Sequence, residues 1–578
     1  MRLLLKDYLK EIKERDELDR LLPDLLTEMG FRVFSIPQRG PNQFGVDVGA
    51  VGRCEGDKTS RLYLFVIKCK NISRKEWSRE SQGVRASVED CLDVYIPNFR
   101  PIEYVKLPIT ICICCGGEVS QEAVPYVESY KKKVCQKYGH RIETWDGDKL
   151  AGLVNEYFCN TKLFGDGAPS NLLRTLAMVS DPELSFKYFR EMVPEILGPL
   201  DKQPFKKKLS KVRRLNLCLG ILYSWGVNAG NIESAYLAAE IVLINVWRCL
   251  WMDSRSIAAK KRQLGKSIDA FLPTLRFYFR IATAYVMRIR PYLDRPYLFT
   301  FSTGGNDEVD VNLKTFEVLG RFASLGLAIN CYYDSMKDAW KGRNETEMSN
   351  AHMALEMIED SICALLQYNP TACWAMKDSY AGVISQVCLF LRGRNRADVV
   401  KSWVAQIVSK LGDEYARGMV YPVVGMGYAK LLTHAHCGAI PKEKVSEILP
   451  STELLPTLAL IANYFKMDEV YDSIVSIQEN VFPKTDFQLL FYDGDVEDAA
   501  MGVLGNAGLV WPSISLKERE MLVRCVRDNA TQKSLLKTIP PVLYGILFVG
   551  LRHHGMPLPT SFWLVNDEQM KGGSHGRC

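Results

Sequence analysis

The sequence lacks the residues and motifs of several common enzyme classes. It contains only seven histidines among 578 residues, and no Ser-His-Asp or Cys-His arrangement stands out as a nucleophilic site. Gly265-Lys266-Ser267 is similar to the end of a phosphate-binding loop, but Lys260 stands where that loop requires glycine, and no strand precedes it. The sequence therefore argues against a serine or cysteine hydrolase and against a nucleotide-binding site of its own.

No hydrophobic segment is long enough to cross a membrane. The two longest, 235–247 and 540–551, fall short of the ~20 apolar residues of a spanning helix, so we expect buried helices there. The N-terminal segment mixes Leu with charged residues and lacks the uncharged core of a signal peptide. The 17 cysteines are odd in number and show no repeated spacing, which predicts reduced thiols. We therefore expect a cytoplasmic protein without a membrane partner.

Length and charge predict several domains but leave the function open. A chain of 578 residues exceeds what one hydrophobic core supports. Its net charge of +6 permits nucleic-acid binding through a local patch without favouring it. Residues 160–170 have the Gly, Asp and Pro content of a linker. We predict an α/β domain over 1–165, a helical domain over 166–480, and a C-terminal helical subdomain over 481–578 with a long loop and a disordered tail.

The first domain is predicted to be a mixed sheet flanked by helices. A one-sided leucine stripe predicts a helix that stops at Gly30, and the apolar run 109–115 predicts a central strand buried on both faces. The all-α region beyond it is either a helical bundle or a set of irregular helical repeats, because no fixed period is evident. The predicted elements are helix 18–29, strands 31–36, 45–51 and 62–70, helix 78–95, strand 109–115, helix 119–138, strand 141–144 and helix 148–158.

An acid-and-lysine pattern suggests the chemistry of this domain. Asp47 lies in one apolar strand, and Lys68 and Lys70 lie at the end of the next strand along the chain. Neighbouring strands would bring these side chains together, with Lys68 and Lys70 on the same face. A carboxylate that holds a divalent cation and a lysine that steadies the attacking water are the parts of a phosphodiester-hydrolysing site.

Three segments together resemble the Mrr-like branch of the restriction endonucleases, which belong to the PD-(D/E)xK superfamily. The likeness covers residues ~15–160, and in that branch the last motif commonly reads Gln-Cys-Lys. Glu143-Thr144-Trp145-Asp146-Gly147-Asp148-Lys149-Leu150 is similar to the strand-to-helix closure of those domains. The three segments are Leu25-Leu26-Thr27-Glu28-Met29-Gly30-Phe31, Gly45-Val46-Asp47 and Val66-Ile67-Lys68-Cys69-Lys70-Asn71.

The resemblance implies a set of functional residues. Asp47 would be the principal ligand of Mg²⁺ or Mn²⁺, and Lys70 would be the catalytic lysine. The acidic residue of the first helix would be Asp19, with Glu17 as the neighbouring candidate. The substrate implied is DNA, and RNA is not excluded.

Lys68 departs from the family pattern, which has Glu, Asp or Gln at that position. A protonated lysine cannot coordinate Mg²⁺, so the cation would lose a ligand. Some family members carry the acidic group on the following helix, where Glu80 and Glu89 are the candidates and Gln82 is a weaker one. The site is therefore either rearranged, or a remnant that binds without cutting.

A basic run after the predicted linker is a candidate nucleic-acid contact. Such a cluster can grip a phosphate backbone, although a solvated helix face or a flexible connector explains a charge run equally well. Its members are Lys206, Lys207, Lys208, Lys211, Arg213 and Arg214.

The function predicted from these patterns is Mg²⁺-dependent hydrolysis of DNA phosphodiester bonds. The helical domain would recognise a trigger, a partner protein or a second copy of the chain. An endonuclease-like domain joined to a helical sensor is the plan of bacterial restriction or antiviral defence effectors, which is an analogy of architecture. The alternative is a degenerate nuclease-like protein that binds nucleic acid or serves as an assembly scaffold.

Overall fold

A computed structural model of the protein describes residues 2–11, 18–36, 44–68, 71–78, 83–157, 168–199, 203–255, 261–300, 307–340, 345–492, 496–502, 509–532 and 543–563. Contacts divide the chain into two compact units. The first comprises Met1–Val242 and Cys249–Thr274, and the second comprises Leu243–Arg248 and Leu275–Cys578. Most of the predicted linker and the predicted disordered tail lie outside the described residues. The last three linker residues, 168–170, begin a helix.

A five-stranded mixed sheet forms the centre of the first unit. Its strands lie in chain order, β1-β2-β3-β4-β5. The first three are antiparallel neighbours, whereas β3, β4 and β5 run parallel. The strands are β1 (Arg32–Ser35), β2 (Val48–Gly52), β3 (Arg61–Lys68), β4 (Ile109–Cys115) and β5 (Arg141–Trp145).

Helices cover both faces of this sheet and continue beyond it. The predicted α/β part followed by a large helical part is confirmed. One further helix, α1, precedes these elements and lies in the N-terminal segment whose Leu and charged residues have helical spacing. The helices that begin in the first unit are α1 (Arg2–Glu11), α2 (Asp19–Glu28), α3 (Arg74–Ser78), α4 (Val84–Asp90), α5 (Ile96–Phe99), α6 (Val124–Tyr138), α7 (Gly147–Tyr157), α8 (Ala168–Ala177), α9 (Pro182–Leu197), α10 (Phe205–Asn228), α11 (Glu233–Arg255) and α12 (Lys261–Ile289).

Strand alternation divides the buried side chains of the sheet between two cores. On one face Leu64, Val66 and Ile113 join the hydrophobic residues of α4 and α6. On the other, the Phe65 ring packs edge-on against Trp145, with ring centroids 5.1 Å apart. All seven residues of β4 are buried, as expected for a strand covered on both sides.

The second unit is almost entirely helical. Helices α11 and α12 are cut by the division between the units. The segment predicted as a long loop contains short strands and a short helix, α21. The helices are α13 (Glu308–Trp340), α14 (Glu345–Tyr368), α15 (Tyr380–Gly393), α16 (Ala397–Ala416), α17 (Tyr428–Ala435), α18 (Val445–Ile448), α19 (Leu454–Tyr464), α20 (Asp468–Asn480), α21 (Val496–Ala500), α22 (Arg519–Gln532) and α23 (Tyr544–His553); the strands are β6 (Ser451–Thr452), β7 (Asp486–Phe487), β8 (Leu489–Phe491) and β9 (Leu509–Trp511).

Two neighbouring carboxyl groups lie at the start of α19. Asp378 accepts hydrogen bonds from the Thr452 hydroxyl (2.7 Å) and from the backbone N–H groups of Glu453 (3.0 Å) and Leu454 (3.1 Å), so it caps the helix. Burial, with the nearby Asp378 carboxylate adding to it, raises the pKa of Glu453 to about 7. The helix therefore begins beside an acid that titrates near neutral pH.

Two predictions about the whole chain can be compared with the described residues. Across these residues, every helix falls short of the length or the apolar character needed to cross a bilayer. No pair of cysteines within the described ranges forms a disulfide, and Cys112, Cys114 and Cys115 are fully buried. The burial predicted for Cys112, Cys114 and Cys115 is therefore confirmed.

Candidate functional site

The sheet brings Asp47 next to the end of β3. Val48, the residue after Asp47, pairs with Phe65, so Asp47 lies one strand spacing, ~4.8 Å, from the last residues of β3. The Asp47 backbone N–H donates to the Phe65 carbonyl (2.9 Å), and the Asp47 carboxylate oxygen Oδ2 accepts from the Ile67 N–H (2.7 Å). The carboxylate is thus fixed at the edge where β3 ends. Lys68 ends that strand and is half-buried.

Gly45 fixes the chain that leads into Asp47. Its φ of +76° is a conformation that glycine adopts at little cost. A Cβ atom at this position would lie 1.9 Å from the carbonyl oxygen of Ser87, so only glycine allows this approach to α4. The glycine of the Gly-Val-Asp motif thus has a structural reason.

The other predicted metal ligands are in different situations. Asp19 begins α2, and its Oδ1 atom is excluded from solvent. Glu89 is partly exposed on α4 and forms an ion pair with Arg85 (2.8 Å). Within the described ranges, three or more carboxylate, imidazole or thiol groups suited to one metal ion do not come together. Four predicted residues lie outside the described residues: Glu17, Lys70, Glu80 and Gln82.

Polar residues that the sequence reasoning did not select lie at the same edge of the sheet. Glu118 follows β4, and Asp146 follows β5. The Asn71 side chain, after β3, accepts from the Glu118 N–H (3.0 Å), and Asp146 accepts from the Lys149 N–H (3.0 Å) as a cap of α7. Lys6 forms an ion pair with Glu118 (2.8 Å), and this hydrogen bond raises the pKa of Lys6 and lowers that of Glu118. Lys6, Glu118 and Asp146 line a cavity of about 430 Å³.

This second polar group is separate from the Asp47 site. Three strand spacings separate β2 from β5, so Asp47 and Asp146 lie ~14 Å apart along the edge. The buried Cys114 thiol lies between them: burial raises its pKa strongly, and Asp47 and Asp146 both add to the effect. The sequence did carry a signal for Glu118 and Asp146. Each follows a strand of the parallel part of the sheet, and the carboxyl ends of parallel strands meet at one edge.

The basic run is mostly engaged inside the first unit rather than presented to solvent. Lys208 is 1% exposed, and its Nζ donates to the carbonyl of Cys249 (3.0 Å). The Lys211 Nζ donates to the Leu197 carbonyl, and burial lowers the pKa of Lys211. These bonds point to a structural role for both lysines.

The two arginines of the run attach α10 to α2. Arg213 forms ion pairs with Asp24 (2.9 Å) and Glu28 (3.2 Å). Arg214 is 5% exposed and donates to the Ser210 hydroxyl (2.9 Å), which in turn donates to Glu28 (2.8 Å). The six residues of the basic run therefore do not form one continuous basic surface. Nucleic-acid contact stays a prediction for the two exposed members, Lys206 and Lys207.

We expect Glu28→Ala to lower the free energy of unfolding by about 1–2 kcal/mol, because it leaves the largely buried Arg213 and Arg214 without this carboxylate. Urea denaturation followed by tryptophan fluorescence measures the change. Glu479→Ala is the matched control, because both side chains of its ion pair with Lys517 are exposed, and we expect a change within about 0.5 kcal/mol. Equal effects of the two substitutions would contradict the proposed attachment.

A buried carboxylate fixes the β2–β3 loop on the same sheet. Asp57 is 7% exposed and accepts from the Tyr63 hydroxyl, from the Cys54 N–H (3.0 Å) and from Arg141 (3.4 Å). Burial alone would raise the pKa of Asp57, but the bonds from Tyr63 and Cys54 outweigh it and hold the pKa below its ordinary value. The ionised form is therefore part of the folded structure.

At pH 7 we expect Asp57→Ala to lower the free energy of unfolding by about 2 kcal/mol, because buried donors lose their acceptor. A carboxylate with a depressed pKa stabilises the fold above its ordinary pKa and loses this effect as the pH falls through the folded-state pKa. The difference between wild type and variant should thus shrink from pH 7 to pH 3 in urea denaturation. Exposed Asp90→Ala serves as the control, and a pH-independent difference would argue against the role of the charge.

Comparisons with known proteins leave this site to be judged on its own geometry. No protein-family model, no curated protein and no solved structure matches the chain.

Proposed function

We propose that the chain is a Mg²⁺-dependent endonuclease of the restriction endonuclease-like type, acting on DNA phosphodiester bonds. The main support is the position of Asp47, whose carboxylate is held at the end of β3 beside Lys68 by the Ile67 N–H. The second support is the mixed sheet flanked by helices, whose elements follow the chain order that the sequence pattern predicts.

The carboxylate and the two lysines of the site would have different roles. The bond from the Ile67 N–H orients the Asp47 carboxylate. One hydrogen bond uses only one of about four lone-pair positions on a carboxylate, so coordination remains possible. Lys68, at the same strand end, would attract the phosphate, and Lys70 would hold the attacking water or the developing negative charge.

The chemistry of the donors agrees with Mg²⁺ or Mn²⁺. These ions prefer carboxylate oxygens, and Asp47, with Asp19 or Glu17, supplies such oxygens, while Glu80 is the candidate that replaces the acid missing at position 68. When bound, the cation would polarise the phosphoryl oxygens and lower the pKa of a water molecule. The role of the protein would be to place the carboxylates and the lysines around the phosphate.

A rival function has specific support of its own. Lys68 puts a cation where the family has a carboxylate or Gln, and Asp47 already has a structural partner in the Ile67 N–H. Both facts agree with a degenerate site that contacts phosphate without cutting. In that case the chain would be a nucleic-acid-binding or assembly scaffold.

The large helical region would regulate the nuclease or recruit its partner. A protein partner, or a second copy of the chain, would bind there, and the trigger would act through it. By analogy of architecture we place the protein among cytoplasmic effectors of bacterial restriction or antiviral defence.

Cleavage of supercoiled plasmid separates the two functions. With Mg²⁺ or Mn²⁺ we expect nicked or linear DNA, and with EDTA we expect the plasmid to stay supercoiled. Retention of plasmid binding, without cleavage in either cation, would support the scaffold. The same assay with a structured RNA tests whether RNA is also a substrate.

A further inference from the structure

An exposed aromatic stack lies beside the candidate site. The ring of Phe99, the last residue of α5, stacks on the ring of Phe44, with centroids 4.8 Å apart and an interplanar angle of 15°. Phe99 is nevertheless 51% exposed, because Phe44 covers only part of its surface. Tyr95 packs beside it at 6.3 Å. A large aromatic ring is thus held at the surface by other rings.

The backbone around the stack is fixed. Phe44 adopts a φ of +48°, an uncommon conformation for a bulky residue that is found preferentially at functional sites. After Phe99, the Arg100 guanidinium donates to the carbonyls of Tyr104 (2.6 Å), Val105 (2.5 Å) and Leu107 (2.7 Å), which closes the turn 100–107. Such a platform loses little conformational entropy when a ligand binds.

The stack is close to Asp47 along the chain. Phe44 precedes Asp47 by three residues, which span at most ~11 Å. The contact of Gly45 with Ser87 fixes the short connection between them. Lys106, on the turn that follows Phe99, is exposed and could meet a phosphate next to a stacked group. One nucleic-acid strand is therefore able to reach both the ring and the carboxylate.

We infer that Phe99 stacks on an unpaired nucleobase, so that the substrate is single-stranded nucleic acid or a duplex with a base displaced from its stack. A paired base is covered on both faces by its neighbours, whereas an unpaired base offers its π-face to an aromatic ring. The inference rests on the proposed function for its substrate class, because the site beside the ring is the proposed phosphodiester site.

Binding of short oligonucleotides to the full chain tests this inference separately from cleavage. The Asp47→Asn variant is used as the background, and the probe is a single-stranded DNA with 2-aminopurine, compared with its duplex. We expect Phe99→Leu, which keeps the apolar bulk but not the ring, to weaken single-strand binding about five-fold or more. Phe99→Trp should retain it, and duplex binding should change less than about two-fold in both.

The matched control is Ile102→Ala, because Ile102 is 92% exposed on the same turn and has no ring. Its single-strand affinity should stay within about two-fold of the background. Unchanged binding in Phe99→Leu, an equal loss for single strand and duplex, or no single-strand binding in the background would each overturn the inference. Phe99-dependent binding in a wild-type protein that cleaves neither plasmid nor the single-stranded DNA would support the inference and reject the nuclease proposal.

Discussion

Asp47→Asn should abolish DNA cleavage while leaving the fold intact. Asparagine keeps a side-chain oxygen that can accept the Ile67 N–H at this position, so the end of β3 stays attached to the start of β2. It loses the negative charge that a divalent cation requires. We expect the rate of plasmid cleavage to fall at least about 100-fold, more than is usual for loss of a group that only supports a metal ligand.

Asp47→Ala completes this comparison, because it removes both the charge and the hydrogen bond. It should lose cleavage as Asp47→Asn does. Its free energy of unfolding should also fall by about 1–2 kcal/mol, so that it unfolds at a lower temperature. Thermal denaturation and plasmid cleavage are measured on the same preparations. If Asp47→Asn cleaves like the wild type, Asp47 has only the structural role.

The free energy of unfolding of Glu453→Gln relative to wild type should be up to about 3 kcal/mol greater at alkaline pH than at acid pH. The reason is that the folded-state pKa of Glu453 is raised to about 7. In the unfolded chain this acid ionises at its ordinary, lower pKa. The contribution of Glu453 to wild-type stability is thus fully present below its ordinary pKa and is lost as the pH rises to about 7, because the unfolded state releases its proton first. Glutamine cannot ionise, so the variant avoids this loss.

Urea denaturation between pH 5 and pH 8 measures this prediction. The stability of Glu453→Gln relative to wild type should increase with pH and level off above about pH 7. Exposed Glu443→Gln, ten residues earlier in the chain, is the control substitution. A constant difference for Glu453→Gln would mean that Asp378 and burial do not raise its pKa.

The sheet could be predicted from sequence because its strands have strong and separate signals. The continuous apolar run of β4 predicted its bounds without error, and the leucine stripe of α2 predicted that helix to within a residue at each end. The helix predicted from 119 begins instead at Val124. Val119 forms a β-bridge with Ile72, which the helical pattern of the sequence could not reveal.

The candidate site was less predictable, because it depends on contacts between distant segments. The positions of Asp47 and Lys68 followed from strand spacing, whereas the Ile67 N–H bond to Asp47 did not. The basic run was interpreted from charge alone. Lys208 lies four and seven residues before buried Val212 and Leu215, and this helical spacing was the signal that it belongs to an apolar face.

Binding of Mn²⁺ by the wild type and by Asp47→Asn is the most direct test of the central claim, because it requires neither the correct substrate nor the trigger. Electron paramagnetic resonance of free Mn²⁺ counts the ions that each protein takes up. The account predicts a Mn²⁺ site in the wild type that Mg²⁺ displaces and that Asp47→Asn loses. Equal Mn²⁺ binding by the two proteins, or none by the wild type, would contradict it.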